Sequence, residues 1–355
     1  SIRMCEDNIR DLEITIKKFN ISAGNSNRAV LRAKVLYPLK ESTLRKLDVD
    51  IDEIVSYLSL ALAVLENGVV NAMRNEIEDA KAVLDLVRTT QISAEIRAWL
   101  KAPDATTNYN DACKLRHPRT GLWFVEGPQF STWLDKPNSF LWLNGFSGCG
   151  KSVLCSTAIQ YSFRHRRLSP TTGLAFFFFT FNDDSKQDAS AMLRALILQL
   201  SSQLNGNHIL LTRLYDRYRD ATPPDHDLED CMHQLLRAFQ HVYIILDALD
   251  ESPRHQHGKN LRQNVLEVLV LMRKWSEPGL HLLVTSRDEP DIRRDLLLGD
   301  LHALQSEVSS MKNTSVDRDI ASFISGCLKD RREMRKWEKY HDQIERALTE
   351  RSRGM

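Results

Sequence analysis

Six cysteines in 355 residues, at positions 5, 113, 149, 155, 231 and 327, include no Cys-x-x-Cys pair. That scatter argues against a disulfide-stapled scaffold and against a zinc ribbon, and it points to a reducing, cytoplasmic setting. No apolar run approaches the roughly 20 residues that cross a bilayer, and the first residues lack the pattern of a signal peptide. Charge of one sign is lacking too: 48 Lys and Arg stand against 47 Asp and Glu, a formal net charge of +1. That balance gives no electrostatic case for nucleic acid or an acidic membrane surface. There is no internal repeat and no low-complexity tract. The composition is that of an ordinary globular protein, long enough for two or three domains. Ser1 is not a methionine and Met355 directly follows a charged helical pattern, so both ends read as cut edges of a longer protein.

What the chain does contain is an eight-residue glycine-rich loop, Gly145-Phe146-Ser147-Gly148-Cys149-Gly150-Lys151-Ser152. An apolar run, Phe140–Leu143, precedes it, and a helical pattern opens behind it from Val153. In that context the loop reads as a phosphate cradle. Gly145, Gly148 and Gly150 let successive N–H groups turn inward, and Ser147 and Cys149 fill the permissive positions between them. Lys151 supplies positive charge for the β- and γ-phosphates, and Ser152 a hydroxyl for Mg²⁺. The helix start at Lys151, Ser152 and Val153 aims its positive dipole end at the same anion.

Residues 1–102 predict an all-helical domain. Ile9, Leu12, Ile16 and Phe19 form one stripe, Leu44 to Leu62 a second, and Val70, Met73, Ile77, Leu84 and Val87 a third. A shorter helix is expected over 92–101. The polar stretch 103–120, with two prolines, reads as a linker. From 121 to about 310 strand and helix patterns alternate. Strands are expected at Phe140–Leu143, Leu174–Phe181, Val242–Leu246 and Leu282–Thr285, with a weaker one at Ala303–Gln305. Runs such as Phe176–Phe179 suit strands covered on both faces of a parallel sheet. From 311 the chain turns helical again, with Ile320, Phe323, Ile324 and Leu328 in one stripe. The fold class is therefore α/β: a parallel phosphate-loop NTPase sheet, preceded by an all-helical domain and followed by the start of a helical lid over 311–355.

Two further segments carry chemistry. His241–Glu251 reads HVYIILDALDE, an apolar strand that delivers Asp247 at its C-terminal end, where open α/β sheets bind ligands. Asp247 is placed to hold Mg²⁺ there, and Asp250 or Glu251 to orient or deprotonate an attacking water. His281–Pro290 reads HLLVTSRDEP. Its strand ends in Thr285, Ser286 and Arg287, and a cationic group there can sense a γ-phosphate. His255 and His257 lack further ligands at a useful spacing and read as a loop, while Cys231 and His233 read as helix surface or core. The basic residues of 329–339 are interleaved with acids and read as a solvated helix face.

The three segments together resemble the NACHT class of signal-transducing phosphate-loop ATPases, in the AAA-like STAND group. Asp-Ala-Leu-Asp-Glu at 247–251 is especially close to that class. The nearest likeness is to fungal NOD-like receptors, including heterokaryon-incompatibility proteins, whose core also resembles the nephrocystin-type N-terminal module. Flanking residues carry the resemblance further: Thr120-Gly121-Leu122-Trp123-Phe124, then Phe130, Trp133 and Leu134, then Ser139-Phe140-Leu141-Trp142-Leu143. Phe181-Asn182-Asp183 and Asn313-Thr314-Ser315-Val316-Asp317 extend it, so that it covers roughly 115–355. Residues 1–90 look more loosely like the later part of the helical domain ahead of such cores, through Tyr37-Pro38-Leu39-Lys40 and Leu58-Ser59-Leu60-Ala61-Leu62.

The resemblance implies a switch of ATP and ADP with Mg²⁺, slow hydrolysis, and self-association on activation. It also implies signalling through the N-terminal helices to an effector in non-self recognition or cell death, with sensor repeats in the parent protein. By matching position, Lys151, Ser152, Asp247 and Glu251 take nucleotide and metal roles, Arg287 a sensor role, and Thr120 and Gly121 lie near the adenine. Ser147 stands where many relatives carry proline. A non-hydrolysing nucleotide-binding scaffold is the alternative. A small-molecule kinase lacks an acceptor motif, and the absence of Asn-Lys-x-Asp favours adenine over guanine.

Overall fold

The computed structural model describes residues 75–88, 92–118, 120–166, 171–204, 208–256, 258–330 and 332–352. The helices expected through Ile9–Phe19 and Leu44–Leu62 lie outside them. The chain divides into two compact units, Ser1–Asn75 and Glu76–Met355, and the second holds all the described core.

Four of the apolar runs form strands: β1 (Ser139–Asn144), β2 (Thr172–Phe178), β3 (His241–Asp247) and β4 (Leu280–Ser286). With β5 (Val308–Ser310) they make one parallel sheet in the order β2-β3-β4-β1-β5. Side chains alternate between its faces, as the strand period of two requires. Phe140, Trp142, Phe177, Ile244, Leu246, Leu282 and Val284 enter one core. Leu141, Leu143, Phe176, Phe178, Tyr243, Ile245 and Leu283 enter the other. Both faces are apolar because helices cover both. On the first lie α1 (Ala94–Leu100), α5 (Ala189–Ser202), α6 (Asp225–Leu236) and α7 (Leu261–Lys274). On the second lie α2 (Thr106–Leu115), α3 (Pro128–Asp135) and α4 (Lys151–Arg166). This is the α/β architecture of a phosphate-loop NTPase.

Several elements differ from expectation. The 103–120 stretch contains α2, because its Asn, Thr and Asp residues start a helix rather than loosen a loop. Asp104 accepts from the Thr106 N–H at 2.8 Å and from the Thr106 hydroxyl at 2.7 Å. Tyr109 then turns inward, fully buried against Phe176. Described residues before it pack on the core as well, a point that the sequence leaves open. Residues 75–86 are helical, Val83 and Val87 are buried, and Arg116 binds Glu76 at 2.6 Å while Arg164 binds Asp79 at 2.5 Å. Ile77 points outward rather than joining their stripe. Strand β2 stops at Phe178, leaving Phe181 exposed. The fifth strand is not Ala303–Gln305. His302 takes a left-handed φ of 48°, and Glu307 folds back to accept from the Leu304 N–H at 3.0 Å, so pairing begins only at Val308.

The register brings the strand ends together. Asn144 pairs with Ser286 and with Ser310, and Leu246, one residue before Asp247, pairs with Val284. Strand β4 therefore lies between the strand that feeds the glycine-rich loop and the strand that ends in Asp247.

Candidate functional site

The loop leaves β1 with its first residue still tied to the sheet: the Gly145 N–H donates to the Ser286 carbonyl at 3.1 Å. A side chain at 145 would collide with Met311 and with Cys149 Sγ. Gly148 and Gly150 have φ of +77° and +91° with open space where a Cβ would sit. Conformation, not crowding, demands glycine there. Ser147 is exposed on the turn. Cys149 is buried, and that burial pushes its thiol up, with the Lys151 charge opposing the shift. Lys151 reaches back across the loop and donates to the carbonyls of Gly145 and Phe146, both at 2.9 Å.

Asp247 ends β3 almost fully buried, and burial raises its pKa above the usual carboxylate range. Hydroxyls of Ser152 and Thr285 and the Lys151 charge act in the opposite direction, while Asp250 adds to the rise. Thr285 Oγ1 donates to Asp247 Oδ1 at 2.5 Å and accepts from the Ala248 N–H at 3.0 Å. Ala248 is held there at a left-handed φ of 55°. The intervening strand β4 thus supplies the hydroxyl that fixes the end of β3.

Asp250 and Arg287 find each other. The Arg287 N–H donates to Asp250 Oδ1 at 2.8 Å, and Arg287 Nε lies 2.9 Å from Asp250 Oδ2. Asp250 is buried while its arginine is partly exposed. Asp250 therefore holds Arg287 in position, rather than standing free to handle a water. Glu251 is half-buried and accepts from the Phe181 N–H at 3.2 Å. Burial raises its pKa, the Phe181 bond opposes this, and Asp250 and Asp247 add to the rise. A carboxyl shifted upward in this way is a stronger proton acceptor than a free one.

Beside the loop lies a cleft of about 240 Å³. Thr120 and Gly121 line it from one side, Gly148, Cys149, Gly150 and Val153 from another, and Asp319 and Phe323 from helix α8 (Thr314–Asp330). Gly121 has a φ of +80°, and a Cβ there would meet Leu154 at 2.7 Å.

Residues 119–287 match the family model described as Nephrocystin 3, N-terminal. Over 184 residues the chain is 29% identical to the Vegetative incompatibility protein HET-E-1 of Podospora anserina. Both matches support a likeness to NACHT/HET-type proteins over about half of the chain. The aligned part is 49% of this chain and 13% of that relative, so the chain spans only a small part of its length. No solved structure matches.

Within this core, sequence reasoning missed Arg262 and Asp319. Arg262 is buried on α7 and donates to the carbonyls of Ser252 at 2.8 Å and Asp250 at 2.5 Å, fastening the acidic turn. No local pattern marks it, because its partners are backbone atoms in another segment. The weaker candidates settle as structure. His255 Nδ1 lies 2.5 Å from Asn260 Oδ1, while His257 lies outside the described residues. His233 stacks on Trp275, and Cys231 is buried with its thiol pushed up to about 12. No His, Cys, Asp and Glu cluster with metal-holding geometry occurs among the described residues. None of the described helices is long and apolar enough to cross a membrane.

Proposed function

We propose that this chain is the nucleotide switch of a NOD-like receptor: it binds ATP or ADP with Mg²⁺ and hydrolyses ATP slowly. The nucleotide then controls self-association in non-self recognition or programmed cell death, in the cytoplasm. The observation that carries this reading is the convergence of Lys151, Ser152 and Thr285 on one buried carboxylate, Asp247, beside a loop with two left-handed glycines.

The donor set fits nucleotide phosphates and Mg²⁺. Open space over Gly148 and Gly150 suits phosphate oxygens, and Ser152 with Asp247 offers the hydroxyl and carboxylate oxygens that a small hard cation prefers. Bound Mg²⁺ would neutralise phosphate charge. Lys151 would leave the Gly145 and Phe146 carbonyls for the phosphates, and Glu251 would take a proton from water. The cleft at Thr120 and Gly121 would seat the adenine. We further propose that residues 1–102 form a signalling domain acting on a downstream effector, that 121–310 form the switch core, and that 311–355 begin its lid.

One observation favours the second reading, a non-hydrolysing scaffold: Asp250 and Arg287 are paired with each other. Calorimetry with ADP and with ATP plus Mg²⁺, on the wild-type chain beside Lys151→Ala, tests the first requirement of the switch. Mg²⁺-dependent binding to wild type and its loss in the variant are expected. Equal binding by both proteins, or binding by neither, would overturn the assignment of the loop.

A further inference from the structure

Helix α8 touches the base-side wall of the cleft along one face. Asp319, Phe323 and Gly326 are four and three residues apart, so they share that face. The Gly121 N–H donates to Asp319 Oδ2 at 2.6 Å. The Trp123 side chain lies close enough to the same carboxylate to oppose the rise that burial gives its pKa. One turn on, Phe323 meets His117 edge to face, with ring centroids 5.9 Å apart. At Gly326 a Cβ would lie 2.3 Å from His117 Nε2, so the absence of a side chain is what lets the helix approach. The wall that these contacts hold rests in turn on the helix behind the phosphate loop, since Gly121 packs on Leu154 and Thr157 of α4.

We propose that Asp319 is the positioning residue for the nucleobase: it fastens α8 to the 121–123 turn and so gives the cleft its shape. Its hydrogen bond goes to Gly121 in the wall and not to a residue of the glycine-rich loop. Its contribution therefore belongs to the base and not to the phosphates. Gly121 depends on this bond in particular, because its left-handed backbone aims its N–H at α8 rather than into a helix. Base binding and docking of α8 become one event. This inference rests on the nucleotide reading above.

The test separates base from phosphate. Affinities for Mg²⁺-ADP and Mg²⁺-pyrophosphate are measured by calorimetry on wild type, Asp319→Ala, Asp319→Asn and Gly326→Leu. Loss of a charge-assisted bond predicts at least about a tenfold weaker ADP affinity in Asp319→Ala, with pyrophosphate changed less than about twofold. Asp319→Asn keeps an oxygen for the Gly121 N–H and should recover to within about threefold of wild type. Gly326→Leu, which leaves Asp319 intact and pushes the helix off His117, should repeat the base-selective loss even if Asp319→Ala fails to fold. ADP affinity unchanged in both the alanine and leucine variants, or pyrophosphate lost in parallel with ADP, overturns the proposal. Wild-type chain that binds neither ligand removes the nucleotide reading and this inference with it, whereas wild type that binds both with unaltered variants removes this inference alone.

Discussion

Replacing Thr285 with valine changes almost no volume but removes the hydroxyl that joins β4 to the end of β3. Thr285 is fully buried and Asp247 nearly so. The substitution deletes a hydrogen bond to a carboxylate, worth about 1.5–3 kcal/mol, and leaves the Ala248 N–H without its acceptor, at about 1–3 kcal/mol. The two effects share one site and are not fully additive, so about 3 kcal/mol is the expected loss of stability. For a unit of this size that lowers Tm by roughly 5 °C. Urea unfolding without nucleotide measures it, with an unchanged m-value as the sign that the folded state is otherwise intact. Thr285→Ser keeps both bonds and should stay within about 1 kcal/mol of wild type, losing only a methyl group. A valine variant as stable as the serine variant would refute the argument that this hydroxyl fixes the acidic turn. The substitution also removes a group that lowers the Asp247 pKa, so any Mg²⁺ binding should need a higher pH.

The remaining predictions concern charge. Burial holds the Asp247 pKa above its unfolded value, so its contribution to stability is greatest at low pH and is lost as pH rises through the folded value. Asp247→Asn should therefore raise Tm at pH 7.5 without ligand while weakening Mg²⁺-nucleotide binding; a lower Tm in thermal melts would contradict this. The fully buried His281 donates from Nδ1 to the Trp133 carbonyl, and its pKa falls from 6.5 to about 4, burial being the main cause. A neutral buried histidine stabilises the fold at neutral pH, and that contribution is lost as pH falls from 6.5 to about 4. It amounts to about 3 kcal/mol. Urea titrations at pH 7.5 and 4 should show wild type losing that much more than His281→Phe, and matching losses would sink the assignment. Glu251→Gln should lower ATP turnover by roughly 10²–10⁴-fold while ADP affinity holds, read by phosphate release and calorimetry.

The four long strands were legible because a parallel sheet covered on both faces turns each strand into an unbroken apolar word: FLWL, LAFFF, VYIIL, LLVT. β5 is short and half polar, and nothing in Val308-Ser309-Ser310 separates it from a loop until Asn144 is seen beside it. Helix α2 was misread because Asn, Thr and Asp serve turns and helix starts alike. Only the inward Tyr109 shows which applies here. The loop residues and Asp247 lie in local patterns, and the register of three strands brings them together. The pairing of Asp250 with Arg287 needs two separate strand ends and could not be read from either. Asp319 was passed over for the same reason, since its partner Gly121 is 198 residues away.

Arg262 gives the region one more property. Its guanidinium grips the carbonyls of Asp250 and Ser252 and also lies 3.1 Å from Asp291 and 3.4 Å from Glu289. The turn after β3 and the turn after β4 are therefore riveted to a single planar fork. Neither can shear past the other without breaking one of these bonds. Through Asp250, Arg287 is thereby joined to the segment that opens the short helix at Pro290, with α7 as their common anchor.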